Sequence, residues 1–276
     1  MKFLTVLFLL FFLNGCQKSP QIEEVDLSQY FDGINGTAVF YLPTEQTYKI
    51  YNPVLAAKQS SPCSTFKIMS AYLALSEKLV TAENSQRSWN KTPYWNPQWN
   101  KDMGIAEAFQ TSCIWYFRRL IDEAGEVKIQ AFLNSYNYGN KDISDWQGLL
   151  NDNELNPDLS GFWIESSLKI SPIEQTRVLA NIFEKNTQAA KDLKEIMQVS
   201  NTPVKIYGKT GMGVKNDKIA DAWFVGFYEL NGRHIYFAIR LDDAENAAVE
   251  DYRHKASQIA KQIAIEIIND GNKPLE

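Results

Sequence analysis

The sequence is poor in histidine: two, His234 and His254, among 276 residues. A zinc hydrolase normally draws on more nitrogen ligands at close spacing, and no His-x-x-x-His or Cys-x-x-Cys pattern is present. A Ser-His-Asp triad would need one of these two as its base, and neither accompanies a nucleophile-elbow pattern. A serine-based chemistry here therefore points to lysine as the base. Basic runs are also missing, and net charge is −5, so no nucleic-acid partner is expected. After the first residues no apolar stretch is long enough to span a bilayer, which takes roughly 20 residues. Repeats and low-complexity segments are absent as well. What remains, 45% hydrophobic and 13% aromatic residues, is the composition of a folded core and excludes a disordered chain.

The first residues read as an export signal. Lys2 supplies the positive end, and Phe3 to Leu13 are almost wholly apolar. Leu13-Asn14-Gly15-Cys16 resembles a bacterial lipobox, which makes Cys16 the expected lipidated residue and a membrane anchor, with an ordinary cleaved signal and an incidental cysteine as the alternative. The expected location is the periplasm, with no protein partner implied. The expected division is a signal over residues 1–16 and one catalytic domain over 17–276. Cys63 and Cys113 would then lie in a compartment that permits disulfides; two buried thiols are expected, with a bridge as the alternative.

Gly36 to Tyr41 and Tyr48 to Tyr51, around Pro43-Thr44-Glu45, predict a hairpin. A helix is predicted from Ser64, with Pro62 just upstream and Phe66, Met69 and Leu73 at helical spacing. Residues 83–104 suggest an ordered loop. A helical stripe runs from Ile105 through Ala108, Phe109, Ser112, Trp115 and Tyr116, and 126–136 and 172–199 are also helix-like. Val204 to Tyr207, Ala222 to Leu230 and His234 to Leu241 read as strands, the last two joined by an Asn231-Gly232 turn. A final helix presents Ala256, Ile259, Ala260, Ile263 and Ile267. These elements predict an α/β (α+β) fold. One antiparallel sheet is built from both chain ends (about 30–60 and 200–276) with flanking helices, and a helical lobe spans about 64–199. A cleft between the lobes is the natural place for a site.

Ser64-Thr65-Phe66-Lys67 places a hydroxyl and an amine on one helix face, at i and i+3. Free N–H groups at a helix start favour a developing oxyanion. Burial would lower the lysine pKa enough for the amine to take the serine proton. Lys209-Thr210-Gly211 follows a predicted strand; the lysine and hydroxyl suit a carboxylate, and Gly211 allows close backbone approach. Each motif alone occurs by chance. Together, in this order, they are the signature of β-lactamases and penicillin-binding proteins.

The middle of the chain narrows the resemblance. Ser-Asp-Asn is absent, and Glu154-Leu155-Asn156 only superficially matches the Glu-x-x-Leu-Asn loop of class A enzymes. Instead the sequence carries Ser112-Cys113-Ile114, Tyr138-Gly139-Asn140, and Phe162-Trp163-Ile164-Glu165 running to Leu168-Lys169-Ile170-Ser171. With Pro62-Cys63-Ser64-Thr65-Phe66-Lys67, the chain resembles class D, oxacillinase-type serine β-lactamases from the first hairpin to the last helix. Ile114 stands where the family usually has valine.

That resemblance implies hydrolysis of β-lactams through a Ser64 acyl-enzyme. Lys67 would be N-carboxylated by carbon dioxide or bicarbonate and act as general base, with no other cofactor and no metal. Phe66, Ile114 and Ile164 would form the apolar pocket around it, and Trp163 would donate its indole N–H to the carbamate. Ser112 would relay a proton to the leaving nitrogen. Backbone N–H groups of Ser64 and Met212 would form the oxyanion hole. Lys209, Thr210, Gly211 and Arg253 would bind the substrate. Tyr138-Gly139-Asn140 would support the cleft as a turn. Two other readings share the motifs: a β-lactam sensor that acylates without efficient turnover, and a penicillin-binding peptidase, which would not need Trp163.

Overall fold

The structure is a computed structural model that describes residues 19–81, 83–152, 154–200, 202–215, 218–242 and 252–270, with side chains in the last segment from 255 onward. Cys16 lies outside the described residues, as does the side chain of Arg253.

Strand β1 (Gln21–Glu24) and a single-turn helix α1 (Ser28–Phe31) lead into the hairpin β2 (Gly36–Leu42) and β3 (Thr47–Tyr51). Helix α2 (Pro53–Ala57) precedes a 3-10 turn over Cys63–Phe66 that runs directly into α3 (Lys67–Ser76). The middle of the chain holds α4 (Ile105–Gln110), α5 (Ile114–Ala124), α6 (Glu126–Tyr136), α7 (Pro172–Phe183) and α8 (Gln188–Met197). Strands β4 (Ile206–Lys215), β5 (Lys218–Leu230) and β6 (Arg233–Asp242) follow, then α9 (Tyr252–Asn269).

The sheet order is β1-β3-β2-β6-β5-β4. Both chain ends therefore contribute strands, as the sequence predicts, and every pairing but one is antiparallel. The exception is β1, which runs parallel to β3. Period-2 alternation sorts the strand residues onto two covered faces. Phe224, Phe237, Ile239 and Leu241 pack with Ala256, Ala260, Ile263 and Ile267 of α9. Trp223, Val225, Phe227, Tyr236 and Ala238 face the helical lobe. Because both faces are buried, β5 and β6 read as nearly continuous apolar runs. At about 1.5–3 kcal/mol for each large side chain buried, these two layers hold the lobes together.

Four local predictions change. The nucleophile segment begins as a 3-10 turn, and regular α-helix starts only at Lys67. The stripe over 105–116 is two helices, broken at Ser112, which has φ +58°. The segment 172–199 is likewise two helices; Ser171 and Glu174 form a reciprocal cap on α7, with Pro172 in its first turn. Lys209-Thr210-Gly211 lies inside β4 rather than after a strand. The Asn231-Gly232 turn is as expected, with φ +50° and +74°, the left-handed pair a tight hairpin needs.

Candidate active site

Cys63 has φ +47°, which turns the chain sharply out of Ser61-Pro62 and into the 3-10 turn. The turn places Ser64 three residues before the α3 start, and Lys67 Nζ donates to Ser64 Oγ at 2.8 Å. Lys67 is fully buried. Burial pushes its amine pKa down from 10.5 to about 8, against the opposing pull of Cys113 and Cys63. At neutral pH this raises the neutral fraction ~300-fold, which is what both a base and a carbon dioxide acceptor require.

The amine packs against the aromatic core of the helical lobe, with the Cys63 and Cys113 thiols near it. Nζ lies 5.6 Å from the centroid of Phe117. Phe66 is buried and stacks on Trp163 at 5.9 Å, while Ile114 and Ile164 pack, partly buried, against the same cluster. Trp163 is fully buried, and its Nε1–H has no hydrogen-bond partner. Such an orphan donor costs about 1–3 kcal/mol, which marks it as a group waiting for an acceptor. Cys63 and Cys113 are both buried free thiols, so no bridge joins them.

Several fastenings hold the segment before Ser64. Ser61 Oγ donates to Trp163 O at 3.0 Å, and Cys63 N donates to the same carbonyl at 2.9 Å. Trp223 Nε1 donates to Ser61 O at 3.0 Å. Behind them, buried Arg240 donates to Asp221 Oδ1 at 2.7 Å, to Asp242 Oδ1 at 3.0 Å and to Lys58 O at 3.1 Å. Ser60 Oγ donates to the second Asp221 oxygen. Thr65 Oγ1 accepts from Gln175 Nε2 at 2.8 Å.

On β4, Lys209, Gly211 and Gly213 share the face turned toward the nucleophile. A methyl at Gly211 would stand 3.0 Å from Pro62 O and from Thr65 Cγ2, so glycine lets the strand lie against the turn. Lys209 is buried, and its Nζ donates to Thr210 O at 3.0 Å. Burial first, then Lys67 and Lys261, push its pKa well down, a field that an anionic ligand would reverse. Met212 is exposed at the strand edge. Ser112 sits in the break between α4 and α5, beside the buried thiol of Cys113.

Tyr138-Gly139-Asn140 is a clamp on the loop after Trp163. Asn140 exchanges hydrogen bonds of 2.9 Å with the Lys169 backbone and donates to Ser167 O at 2.8 Å. Gly139, at φ +48°, has no room for a side chain against Lys169. His234 lies far along β6 with Glu184 and Glu229, away from Ser64. Among the described residues no cluster of His, Cys, Asp or Glu could hold a metal. Sequence reasoning missed Phe117, although it lies three residues after Ile114 on one face of α5, and it missed Gln175 and the Arg240 network.

A half-buried serine and a fully buried lysine one turn apart, with a Lys-Thr-Gly strand packed against their turn, are the arrangement of the penicillin-recognising serine family. The penicillin binding protein transpeptidase domain family matches residues 37–269, and the chain belongs to it, alongside class D β-lactamases. The methicillin resistance mecR1 protein of Staphylococcus aureus is 35% identical over 87% of this chain, which spans only 39% of that protein. Beta-lactamase OXA-1 of Escherichia coli is 31% identical over 81% of both chains. Among solved structures, the C-terminal domain of the Bacillus licheniformis BlaR penicillin-receptor has a TM-score of 0.77 at 28% identity, over 92% of this chain and 97% of that one. The class D beta-lactamase from Bacillus subtilis has a TM-score of 0.73 at 27% identity, over 89% and 94%.

Proposed function

We propose that this chain hydrolyses β-lactams through an acyl-enzyme on Ser64, with N-carboxylated Lys67 as general base. The observation that carries the reading is a fully buried amine against Phe117, in a core that also holds Phe66, Ile114, Ile164 and Trp163, whose indole N–H is unpaired. A neutral amine in such a setting adds carbon dioxide and releases a proton, and the indole N–H suits the carbamate that results. When present, that group supplies the base for acylation and deacylation.

The remaining roles belong to the chain's own side chains and backbone. Ser64 Oγ attacks the lactam carbonyl, and the backbone N–H groups of Ser64 and Met212 hold the developing oxyanion. Ser112 passes a proton to the lactam nitrogen as the ring opens. Lys209 and Thr210 hold the substrate carboxylate, Gly211 lets it approach the strand, and Arg253 joins them from the start of α9. Water then releases the acyl group. No metal or organic cofactor is required.

A second reading, a β-lactam receptor that acylates without efficient release, is favoured by the similarity to the mecR1 protein and to the BlaR penicillin-receptor domain. A chromogenic cephalosporin separates the two. Hydrolysis predicts sustained turnover that added bicarbonate increases; one stoichiometric burst contradicts it and supports the receptor. The same proposal places the protein outside the cytoplasm, anchored in a membrane through a lipidated Cys16. It rests on Lys2, the apolar run and the Leu13-Asn14-Gly15-Cys16 sequence. Palmitate labelling that Cys16→Ala abolishes is the expected result, and labelling that persists in the variant contradicts it.

A further inference from the structure

Glu165 has no part in the chemistry proposed above, yet its surroundings are unusual. It follows Phe162-Trp163-Ile164 and has φ +47°, a left-handed conformation that is strained for a residue with a side chain. The strain is held in place: Glu165 N donates to Ser61 Oγ at 2.8 Å, and Ser61 donates onward to Trp163 O. The result is that the side chain turns inward toward the nucleophile turn instead of outward to solvent.

There the carboxyl meets two backbone segments at once. Its Oε1 accepts from Cys63 Sγ at 3.2 Å. It also fills the place that a side chain at position 213 would take, where a methyl would overlap the carboxyl and lie 2.9 Å from Cys63 Sγ. Gly213 stands where the β4–β5 register shifts, so the ladder alone does not fix the strand at that point. Cys63 immediately precedes Ser64, and Gly213 immediately follows Met212. The carboxyl is thus wedged between the neighbours of both oxyanion donors.

We propose that Glu165 is a positioning residue for the oxyanion hole, its carboxyl setting the spacing between the Cys63–Ser64 turn and the Met212–Gly213 strand. This rests on the assignment of the Ser64 and Met212 N–H groups made above. Charged and titratable groups approach it from each packed element: Cys63 in the turn, Asp221 on β5 opposite Gly213, Lys215 on β4 and Lys169 in the loop beyond. Burial and the Asp221 charge hold the carboxyl above its usual pKa. Asp221 is itself matched by Arg240, so the wedge acts through its shape and hydrogen bonding, and an uncharged amide of the same shape should serve.

The test uses the full chain and three variants: Glu165→Ala, Glu165→Gln and Gly213→Ala, the last displacing the carboxyl from the strand side. Two readings are taken, the rate of Ser64 acylation by intact mass and the affinity of a boronic acid that forms a tetrahedral adduct on the serine. A loosened oxyanion hole predicts that Glu165→Ala and Gly213→Ala slow acylation about tenfold or more and weaken the boronate in proportion. KM should change little, and Glu165→Gln should stay within about threefold of wild type. Acylation of the wild type at all tests the assignment of Ser64 separately. Ala variants within twofold of wild type on both readings, or a Gln variant as impaired as Ala, would overturn the proposal.

Discussion

Replacing Lys67 with methionine should make the protein more stable and inactive. Lys67 is completely buried, and burial drops its amine pKa from 10.5 to about 8. In the unfolded chain the amine binds a proton up to pH 10.5; in the folded state it gives that proton up near pH 8. At pH 7 the difference corresponds to about 3 kcal/mol of lost stability. Methionine fills a similar volume without charge. It forfeits the 2.8 Å hydrogen bond to Ser64, worth about 1 kcal/mol, so the net gain is about 2 kcal/mol. The assay is urea unfolding in carbon dioxide-free buffer, since carboxylation would itself stabilise the folded wild type. The pH dependence has a definite direction. The unfolded state binds more protons between pH 8 and pH 10.5, so wild-type stability rises across that window and the advantage of methionine closes. A Lys67→Met variant that is less stable than wild type at pH 7, or a gap that does not change up to pH 10.5, would refute the reasoning.

Trp163→Phe keeps most of the stacking on Phe66 and removes the indole N–H; it should lower turnover about tenfold at ambient carbon dioxide and be rescued by bicarbonate. Gly211→Ala puts a methyl 3.0 Å from Pro62 O and should slow acylation at least ~10-fold, read by stopped-flow, by pushing β4 off the nucleophile turn. Without added bicarbonate, kcat should fall as pH drops below about 8, because protonation of Lys67 removes the form that reacts with carbon dioxide. Lys67→Ala should acylate at best, and wild-type turnover in that variant would contradict the assigned base.

The parts of the fold visible in the sequence are those set by local physics. The β2–β3 and Asn231-Gly232 hairpins announce themselves through turn residues, and the Ser64–Lys67 pair through its i, i+3 spacing taken together with Lys209-Thr210-Gly211. Strand β1 gives no such signal: Gln21-Ile22-Glu23-Glu24 is exposed throughout and owes its form to parallel pairing with β3. The break at Ser112 has neither glycine nor proline to mark it, and is closed instead by Cys113 N donating to Ala108 O at 2.8 Å. Glu165 and Arg240 read as ordinary charged residues; their surroundings come from segments distant in sequence. Trp163 was legible only through the motif around it, because nothing in the sequence distinguishes an unpaired indole N–H from one bonded in a core.

The most direct test of the central claim is the mass of the intact protein through time after mixing with a slight excess of penicillin. Turnover at Ser64 predicts an adduct of one ring-opened penicillin that vanishes as the substrate is consumed, leaving the free protein, and no adduct in Ser64→Ala. An adduct that forms once and persists for hours in the presence of bicarbonate would contradict hydrolysis and make the protein a receptor.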